Sequence, residues 1–584
     1  MNIQQADILK ALYEKDYSTQ REIASHVGHA LGLVNKSLRL LEEDNYIHMM
    51  KITDKGREYI DAFKPKNAII LAAGFGMRMV PINHECPKAF LKVKGEILIE
   101  RLINQLHEAG IKKIYVVVGF MKEQFDYLID KYNVELIVNS DYVLKNNLYS
   151  LKKAEKYIEN SYIVPSDVWF EENPFGKNEA YSWYMITDKK DSCSDVKLAR
   201  SYELVKIPKN IQGNTMVGLS FISKKDAPTL KKRMKDLSKS AYHDNDFWEE
   251  ALYDENGKMF TKAKVIQQDK VNEINTFEQL RQLDDKSKQL QSEAILVLAD
   301  VFKCDVNEIK NIEVLKKGMT NRSFLFNYEG NKYIMRIPGE GTDQLINRRE
   351  EAEVYKTIAG KGFCDDPVYI NPENGYKVTK FLEGVRTCND RKVEDLQKCF
   401  AMLKKLHNMN LKVDHEFNLL KEINFYESLW NGEPSSYPDY KKTKEHVLEL
   451  INYVDGLDKK KCLTHIDANC DNFLFYKENG VEKLQLTDWE YAGMQDPDID
   501  IAMFAIYSMY EKNMVDFIID IYYEDKCPEE IRTKIYCYVA IAGLLWSNWC
   551  EYKAHLGIEF GEYSLRQYRY AKDYYTYAKE RMEA

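Results

Sequence analysis

The stretch ILAAGFGMRM, residues 70–79, ends an apolar run with two glycines and an arginine. Gly74 and Gly76 would let backbone N–H groups approach a polyphosphate closely, and Arg78 and Lys88 would supply positive charge beside it. The alternative is a tight turn at the end of a strand, where only Gly tolerates the backbone angles. The two cations favour a phosphate loop, and the lack of a G-x-x-x-x-G-K-[ST] sequence here excludes an ATPase P-loop.

A second group of chemically competent residues lies in CLTHIDANCDNFLF, residues 462–475. It has the form H-x-D-x-x-x-x-N, with His465, Asp467 and Asn472, and Asp488 follows at the end of an apolar run. Phosphoryl transfer from ATP to a hydroxyl needs one carboxylate to accept the proton, and an Asn and an Asp to hold magnesium. The spacing favours this chemistry over a polar loop between strands.

The first group must be positioned by alternating strands and helices that begin at Asn67. NAIILAAG, KIYVVVGF and VELIVNS are typical of strands, and ILIERLINQLHEAG of a helix with Leu98, Leu102 and Leu106 on one face. Such alternation predicts a parallel sheet with right-handed crossovers. The glycine-rich loop then lies at the carboxyl end of the first strand, where open α/β sheets bind ligands.

The sequence LAAGFGMRMVPINHECPKAF is similar to the L-A-A-G-x-G-x-R-[LM]-x-P…P-K signature of nucleoside-triphosphate transferases. These enzymes join a phosphorylated small molecule to an NTP and release pyrophosphate. VVVGFMKEQFDYL, VNSDYVLKNNLYSL and DFWEE most resemble bacterial CTP:phosphocholine cytidylyltransferase, over residues 66–283. The sequence departs from the family at Met77, and at Pro165 and Ser166 before Asp167.

This resemblance implies two catalytic residues, Lys88 and Arg78, and two metal ligands, Asp167 and, far downstream, Glu249. For Glu249, the alternative is a carboxylate on a surface helix. Trp248 is implied as a substrate-binding residue. The implied nucleotide-binding residues are Leu71, Ala73, Gly74, Gly76, Arg78, Lys88, Gly119, Asn147 and Ser150. Asn147 and Ser150 could equally cap a helix.

The residues that precede the second group fit the small lobe of a kinase. KGMTNRSFLF would be the phosphate-covering turn, with Thr320 and Asn321 as nucleotide-binding residues. Arg336 stands where protein kinases carry a Lys, with Glu351 or its neighbour Glu350 as the ion-pair partner. VTKFLEG, which contains Phe381, reads as the hinge that would meet adenine. This order resembles the choline/ethanolamine kinase and aminoglycoside phosphotransferase superfamily over residues 295–584, and MRIPGEGT with DWEYAG points to bacterial choline kinase.

The chemistry of a quaternary ammonium group predicts the kind of site that would bind the alcohol acceptor of the kinase. A quaternary ammonium has no N–H donor, so its site must use aromatic faces and a carboxylate. Trp546 and Trp549 share a helix face, Tyr568 is close in sequence, and Glu490 is a candidate countercharge. The alternative is core packing, which is the commoner reason for aromatic pairs at helical spacing. The kinase family places tryptophans and a tyrosine here, which favours a cage.

The first 63 residues resemble a winged helix-turn-helix, with residues 32–41 in the place of the recognition helix. The segment could bind DNA, or it could be a dimerisation or docking module. It contains eight Lys/Arg and ten Asp/Glu, so the positive charge expected of a DNA reader is missing.

Composition restricts the class of protein further. A chain of 584 residues predicts about three or four domains, and a net charge of -9 argues against broad nonspecific nucleic-acid binding. Eleven cysteines without a C-x-x-C pair are typical of reduced thiols. With neither a signal-like N-terminus nor an apolar run of ~20 residues, we expect a cytoplasmic protein without membrane insertion.

The expected fold is multidomain α/β and α+β. It comprises a small winged helix-turn-helix over residues 1–63, a Rossmann-like nucleotidyltransferase with a mostly parallel sheet over 66–283, a linker or helical joint over 284–294, and a bilobal protein-kinase-like domain over 295–584.

The two resemblances together predict a bifunctional enzyme. One half would phosphorylate choline with ATP, and the other would join the phosphocholine to CTP, giving CDP-choline and pyrophosphate, with Mg²⁺ in both active sites. One alternative is the same chemistry on ethanolamine or another amino alcohol. The other is a DNA-binding regulator that senses choline metabolites, which has no need of the complete Asp467, Asn472 and Asp488 set. The sequence does not indicate an oligomeric state.

Overall fold

The computed structural model describes residues 1–82, 86–192, 194–199, 202–208, 211–317, 321–339, 345–364 and 366–583. The chain divides into two compact units, Met1–Val314 and Leu315–Ala584. Within the described residues, no helix has both the length and the apolar character that a membrane span requires.

The first unit begins with three helices and a short hairpin, the arrangement of a winged helix-turn-helix. The elements are α1 (Ile3–Glu14), α2 (Gln20–Val27), α3 (Leu31–Glu43), β1 (Ile47–His48), β2 (Lys51–Ile52) and α4 (Asp54–Asp61). Side chains of Asn2, Thr19 and Thr53 cap α1, α2 and α4 by accepting backbone N–H groups, which otherwise lack partners in a first turn. The expected winged helix is present.

A nine-stranded sheet follows in the order β11-β12-β14-β10-β13-β8-β3-β6-β7. The strands of this part of the unit are β3 (Asn67–Ala72), β4 (Lys92–Val93), β5 (Glu96–Ile97), β6 (Lys113–Val118), β7 (Glu135–Val138), β8 (Ser161–Pro165), β9 (Val168–Phe170), β10 (Trp183–Asp191), β11 (Val196–Leu198), β12 (Glu203–Lys206), β13 (Gly213–Ile222), β14 (Lys258–Ile266) and β15 (Val271–Glu273). The helices are α5 (Leu98–Glu108), α6 (Tyr127–Tyr132), α7 (Asn147–Lys153), α8 (Ala227–Leu237), α9 (Phe277–Leu283) and α10 (Glu293–Phe302).

The strands around β3 form the parallel part of this sheet. β3 pairs in parallel with β6 and β8, and β6 in parallel with β7. Alternate residues of β3 enter two different cores: Ile70 packs in the core with Leu102 and Leu106 of α5, and Ile69 in the core with Leu148 of α7. A strand that is buried on both faces is apolar throughout, which explains the run NAIILA. β13 lies antiparallel to both β8 and β10, so the complete sheet is mixed.

The N-terminal helix α1 packs against this α/β domain through polar contacts. Lys10 Nζ donates to Glu179 Oε2 at 3.1 Å, and the Glu179 side chain is only 4% exposed. Tyr181 Oη donates to Asp7 Oδ1 at 2.7 Å. Asn160 Nδ2 donates to the carbonyl oxygen of Ala62. The winged helix and the α/β domain therefore share a buried polar interface.

The predicted linker, residues 284–294, contacts the α/β domain over part of its length. Lys94 N donates to Asp284 Oδ2 at 2.7 Å, and Lys92 N donates to Gln289 Oε1 at 2.6 Å. Ser292, next to its end, is the N-cap of α10. The polar composition of this segment reflects these contacts as well as exposure to solvent.

The second unit has the two lobes of a kinase. The strands here are β16 (Lys310–Lys317), β17 (Asn321–Tyr328), β18 (Asn331–Pro338), β19 (Tyr369–Ile370), β20 (Lys377–Lys380), β21 (Arg386–Thr387), β22 (Cys462–Thr464), β23 (Phe473–Glu478), β24 (Val481–Leu486) and β25 (Gly493–Gln495). The helices are α11 (Arg348–Ile358), α12 (Val393–Asn408), α13 (Leu419–Ser428), α14 (Tyr440–Asp455), α15 (Asp498–Tyr507), α16 (Lys512–Tyr523), α17 (Glu529–His555) and α18 (Glu562–Glu583).

The small lobe is a five-stranded sheet in the order β16-β17-β18-β20-β19, with α11 after its third strand. The large lobe is mostly helical, and its core includes the central part of α17. The short strands β22 and β25 pair antiparallel. The catalytic loop and the loop with Asp488 therefore lie beside one strand pair.

Candidate active sites

The glycine-rich loop follows β3, as expected. Gly76 has φ 63, and a Cβ atom on it would lie 3.0 Å from Lys88 Cγ, so this position requires glycine. A Cβ atom on Gly119 would lie 2.8 Å from the carbonyl oxygen of Ala73 and 2.8 Å from the ring of Tyr142. Both glycines thus allow close packing around the loop, whereas a Cβ on Gly74 would meet no atom of the described residues within 4 Å.

Lys88 donates hydrogen bonds to two side-chain oxygens. Its Nζ donates to Asp167 Oδ2 at 2.8 Å and to Asn275 Oδ1 at 2.7 Å. Asp167 directly precedes β9, and β15 places Glu273 opposite Val168. Burial raises the pKa of Glu273, the Asp167 charge adds to this, and Asn275, Lys88 and Arg78 oppose it. Lys88, Asp167, Glu273 and Asn275 therefore form one polar site.

Sequence reasoning missed Glu273 and Asn275. They lie in VNEINT, a short strand and loop without a recognisable pattern. Their role becomes visible only through the antiparallel pairing of β15 with β9, which joins segments about a hundred residues apart.

Glu249 lies beyond this site, in an aromatic environment. Tyr184 Oη donates to Glu249 Oε1 at 3.0 Å, and the rings of Tyr184 and Trp248 are 6.0 Å apart. Burial raises the pKa of Glu249 to about 7, against backbone and Tyr184 hydrogen bonds, and the charge of Glu273 contributes. Among the described residues, Glu249 Oε2 is buried and has no hydrogen-bond partner. Glu273 is thus a second carboxylate beside Asp167, and metal binding by Glu249 stays a prediction.

Several residues that were predicted to contact the nucleotide have their polar groups engaged by protein. Ser150 is buried and its Oγ accepts Asn139 Nδ2 at 3.0 Å, so it lies in the interior. Asn147 Oδ1 accepts Trp248 N at 2.8 Å, and the side-chain cap of α7 comes from Asn146. Leu71 and Ala73 are buried, and their carbonyl oxygens accept Ser166 N and Phe120 N. Nucleotide binding by Leu71, Ala73, Asn147 and Ser150 stays a prediction.

The donors around Asp167 fit a magnesium ion by their chemistry. Two carboxylates, Asp167 and Glu273, and the amide oxygen of Asn275 are hard oxygen ligands of the kind that Mg²⁺ prefers. Lys88 Nζ already occupies a cationic position between Asp167 and Asn275. No group of three or more His, Cys, Asp or Glu side chains suited to a metal occurs in the described part of the chain, so nucleotide phosphates would complete such a set.

The catalytic loop of the second unit is organised by Asp500. Its carboxylate accepts His465 N at 2.9 Å and Ile466 N at 2.7 Å, and His407 Nε2 lies 2.9 Å away. Ile466 has φ 67, a conformation that is strained for a β-branched residue. Asp500 therefore holds the strained backbone that directly precedes Asp467.

Asp467, Asn472 and Asp488 are brought together, as the spacing predicts. Asn472 Nδ2 donates to Asp467 Oδ2 at 2.9 Å, and Thr487 N donates to the carbonyl oxygen of Asn472. Burial raises the pKa of Asp467 to about 7, and the Asp488 charge adds to this, while hydrogen bonds from Tyr507, Asn469 and Asn472 oppose it. Asp467 and Asp488 thus repel each other across the loop, which makes a cation between them favourable.

Arg336 pairs with Glu351 and not with Glu350. Arg336 Nη2 donates to Glu351 Oε2 at 2.6 Å, and the side chains are 8% and 0% exposed. Lys377 Nζ also donates to Glu351, at 3.2 Å. Burial opposes ionisation of Glu351, but Lys377 and Arg336 hold its pKa at about 2. Lys377, on β20, was missed because its partner lies on a separate helix.

The environment of Glu490 differs from the one predicted for a countercharge in the cage. Its Oε2 lies 3.5 Å from Arg348 Nη1 and 3.7 Å from Arg336 Nη1, and its side chain is 6% exposed. The carboxylate is therefore paired with two arginines and is not a free countercharge for a ligand.

Aromatic side chains surround Asp467, although not all of the predicted ones do. The ring of Trp546 lies 5.7 Å from Trp549, 5.8 Å from Tyr491 and 5.4 Å from Tyr507. Tyr507 in turn lies close enough to Asp467 to lower the pKa of that carboxylate. Trp546 is only 4% exposed, so it backs this group from the core. We call Tyr491, Tyr507, Trp546 and Trp549 the acceptor aromatic group.

The position of Tyr568 also differs from the one predicted for a member of the cage. Its hydroxyl contacts Asp439 and Thr443, and its ring stacks on Tyr437 at 3.7 Å. The residue belongs to the packing between α14 and α18, whereas Tyr491 and Tyr507 lie beside Trp546. Sequence reasoning missed both because they lie outside α17 and α18.

The remaining nucleotide-binding predictions lie at the small lobe. Phe381 directly follows β20, and its N–H donates to the carbonyl oxygen of Lys332 at 3.0 Å. Asn321 begins β17. Thr320 lies outside the described residues.

The two sites define two phosphate-chemistry domains on one chain: an α/β nucleotidyltransferase and a bilobal kinase. Family models match in the same order: winged helix-turn-helix DNA-binding over residues 1–48, MobA-like NTP transferase domain over 68–172, and choline/ethanolamine kinase over 312–584. These matches agree with the elements described above.

Three similar proteins add detail. The choline-phosphate cytidylyltransferase of Streptococcus pneumoniae is 33% identical over 225 residues, which is 37% of this chain and 96% of that protein. The 2-aminoethylphosphonate cytidylyltransferase of Lancefieldella rimae is also 33% identical, over 37% of this chain and 92% of that protein. A crystal structure of the choline kinase LicA from Streptococcus pneumoniae is 27% identical, covers 48% of this chain and 98% of that one, and has a TM-score of 0.42.

The chain belongs to the cytidylyltransferase family of the first two proteins through its α/β domain, and it carries a choline/ethanolamine kinase domain and a winged helix-turn-helix on the same polypeptide. It is thus an enzyme with two transferase activities, a nucleotidyltransferase and a kinase.

Proposed function

We propose that the kinase half phosphorylates choline with ATP, and that the nucleotidyltransferase half joins the resulting phosphocholine to CTP. The observation that carries this proposal is the acceptor aromatic group beside Asp467. A quaternary ammonium is bound by aromatic faces, and Tyr507 brings the group close to the carboxylate that would accept the hydroxyl proton. The product of the first half-reaction is then the substrate of the second.

In the kinase half, Asp467 would accept the proton of the choline hydroxyl as its oxygen attacks the γ-phosphorus of ATP and ADP leaves. Asn472 and Asp488 would hold Mg²⁺, which neutralises charge on the nucleotide phosphates when bound. Arg336 Nε and Nη1 are buried and, within the described residues, have no hydrogen-bond acceptor. They are suited to bind phosphate oxygens, while Glu351 fixes the guanidinium.

In the nucleotidyltransferase half, a phosphocholine oxygen would attack the α-phosphorus of CTP, and pyrophosphate would leave. Lys88 and Arg78 would stabilise the charge that develops on the phosphates, and Asp167, Glu273 and Asn275 would hold Mg²⁺ with the nucleotide. Glu249, Tyr184 and Trp248 offer a carboxylate and two rings for the ammonium end of the substrate. Gly76 and Gly119 allow Lys88 and the backbone of Ala73 to pack closely around the loop.

Ethanolamine is the nearest alternative acceptor, and one of the two similar cytidylyltransferases is named for 2-aminoethylphosphonate, which carries a primary amine. Competing turnover of choline, ethanolamine and dimethylaminoethanol separates these substrates. Preference for ethanolamine in both half-reactions would replace choline in the proposal.

The half-reactions can be separated by two matched substitutions. Asp467→Asn should abolish formation of phosphocholine from choline and ATP, yet leave formation of CDP-choline from added phosphocholine and CTP. Asp167→Asn should do the reverse. An Asp467→Asn protein that still phosphorylates choline, or an Asp167→Asn protein that still releases pyrophosphate, would refute the assigned roles.

The N-terminal module is a candidate DNA-binding partner site through the winged-helix family model. Its balance of eight Lys/Arg against ten Asp/Glu predicts weak affinity, because nonspecific DNA binding depends on phosphate neutralisation. A mobility-shift titration with duplex DNA at low and physiological salt would test this. Tight binding at physiological salt would establish the regulator as a second function.

A further inference from the structure

A cavity of about 540 Å³ opens beside Glu490 and Tyr491 in the second unit. Its walls include Arg348 of α11 and Phe425 of α13. A cavity of this size is in the range that holds a small-molecule ligand. Tyr491 belongs to the acceptor aromatic group, so the cavity borders one member of the proposed acceptor site.

The cavity needs a negative charge if it receives a cationic alcohol, and Glu490 does not supply one. Its carboxylate faces Arg348 Nη1 at 3.5 Å and Arg336 Nη1 at 3.7 Å. Burial and the charge of Asp488 raise the pKa of Glu490 against these two guanidinium groups, so Glu490 is not a free anion for a ligand.

Glu422, on α13, also lines this cavity, and the surroundings of its carboxylate differ from those of Glu490. Its side chain is half-buried, and in the described part of the chain its carboxylate has neither a hydrogen bond nor an ion pair. Burial raises the pKa of Glu422, and the nearby Glu350 charge contributes, with Lys421 opposing. A carboxylate that is partly desolvated and uncompensated in this way favours a cationic ligand.

The position of Glu422 on its helix connects it to the acceptor aromatic group. Tyr426 follows four residues later and therefore shares its helix face. Burial raises the pKa of Tyr426, and the charges of Glu422 and Glu490 add to this, with Tyr491 opposing. Tyr491 packs edge-on against Trp546, with ring centroids 5.8 Å apart. Tyr426 therefore lies close to both Glu422 and Tyr491, and Tyr491 contacts the rest of the acceptor aromatic group.

We propose that Glu422 is a specificity-determining residue of the kinase: its carboxylate attracts the ammonium end of the acceptor alcohol and selects cationic over uncharged alcohols of the same shape. This inference rests on the proposed function of the kinase half. It assigns to Glu422 the role that the sequence suggested for Glu490.

The test compares choline with its uncharged isostere, 3,3-dimethylbutan-1-ol, in the full-length protein. Glu422→Gln should raise KM for choline about 5-fold, the effect of losing one partly screened charge interaction, with kcat unchanged. KM for the isostere should stay the same. The loss should shrink as salt is raised, because screening already weakens the interaction in the unmodified protein.

Two variants separate this role from general damage to the fold. Glu427→Gln makes the same change on the same helix, but Glu427 pairs with Lys444 and does not line the cavity, so the choline-to-isostere ratio should stay within twofold. Glu422→Asp keeps the charge and should retain most of the selectivity.

The outcomes distinguish the inference from the function on which it rests. A Glu422→Gln protein with an unchanged choline-to-isostere ratio of kcat/KM would overturn the role of Glu422 alone. If the unmodified protein phosphorylates neither choline nor ethanolamine, the proposed function fails, and this inference fails with it.

Discussion

Asp500 Oδ1 accepts the backbone N–H of Ile466 at 2.7 Å, one residue before Asp467. Ile466 has φ 67, and holding a non-glycine residue in such a conformation costs of order 1–3 kcal/mol. Asp500 also accepts His465 N, so one buried carboxylate fixes the loop that carries the proposed base. The geometry of the reaction centre depends on a side chain that does not touch substrate.

This relationship predicts the effect of Asp500→Asn. An amide can accept only one of the two N–H groups, so the loop should relax and displace Asp467. We expect kcat of the kinase reaction to fall by at least ~10-fold, with little change in the nucleotidyltransferase rate. Steady-state kinetics of both half-reactions on one preparation would measure this. Equal losses in both would point to general unfolding.

The Glu351 cluster predicts a pH dependence of stability. The folded pKa of Glu351 is held at about 2 by Lys377 and Arg336, below an unfolded value of about 4.3. Its ionisation therefore stabilises the fold above about pH 4.3, by about 3 kcal/mol. This contribution is lost as the pH falls through about 2.

Chemical denaturation between pH 6 and pH 3 can measure the contribution of Glu351 ionisation to the free energy of unfolding. Glu351→Gln should be less stable at pH 6, because it leaves buried cations without a partner. The difference from the unmodified protein should shrink toward pH 3, as the carboxylate approaches protonation. A difference that is constant with pH would contradict the assignment.

The Lys10–Glu179 pair predicts that the winged helix and the α/β domain unfold together. Lys10→Met would leave Glu179 buried beside Tyr162 and Lys264, and removing one partner of a buried pair costs about 3–5 kcal/mol. We expect a single unfolding transition of the first unit, at lower denaturant concentration than in the unmodified protein. Lys36→Met, an exposed change on α3, should leave this transition in place and serves as the control.

The acceptor aromatic group predicts a selective effect on choline. Tyr491→Leu removes a ring but keeps apolar volume, so cation–π binding should weaken by about 1–2 kcal/mol. This corresponds to a rise of about 5- to 30-fold in KM for choline, with a smaller rise for ethanolamine, which can donate hydrogen bonds instead. Parallel kinetics with both alcohols would measure it, and equal effects would contradict a cage.

The local patterns of the sequence predicted most of the fold. The apolar run of β3 and the helical face of Leu98, Leu102 and Leu106 are local consequences of burial, and the structure has both. The winged helix-turn-helix expected over the first 63 residues is also present. Patterns of this kind depend on neighbours a few residues away, so a single sequence contains them.

The candidate sites were predicted less completely, because they depend on contacts between distant segments. Asp467 and Asn472 lie in one loop, Asp488 follows β24, and the motif spacing predicted all three. Glu273 reaches Asp167 only through the pairing of β15 with β9. The spacing of residues does not show that Glu490 meets two arginines, or that Tyr568 packs against Tyr437.

The central claim is that one chain carries choline through both half-reactions. Phosphorus NMR of the full-length protein with choline, ATP, CTP and Mg²⁺ tests it directly. The proposal predicts that a phosphocholine signal rises first and is then replaced by CDP-choline and pyrophosphate. A mixture in which ADP accumulates without phosphocholine, or in which phosphocholine persists beside unconsumed CTP, would contradict it.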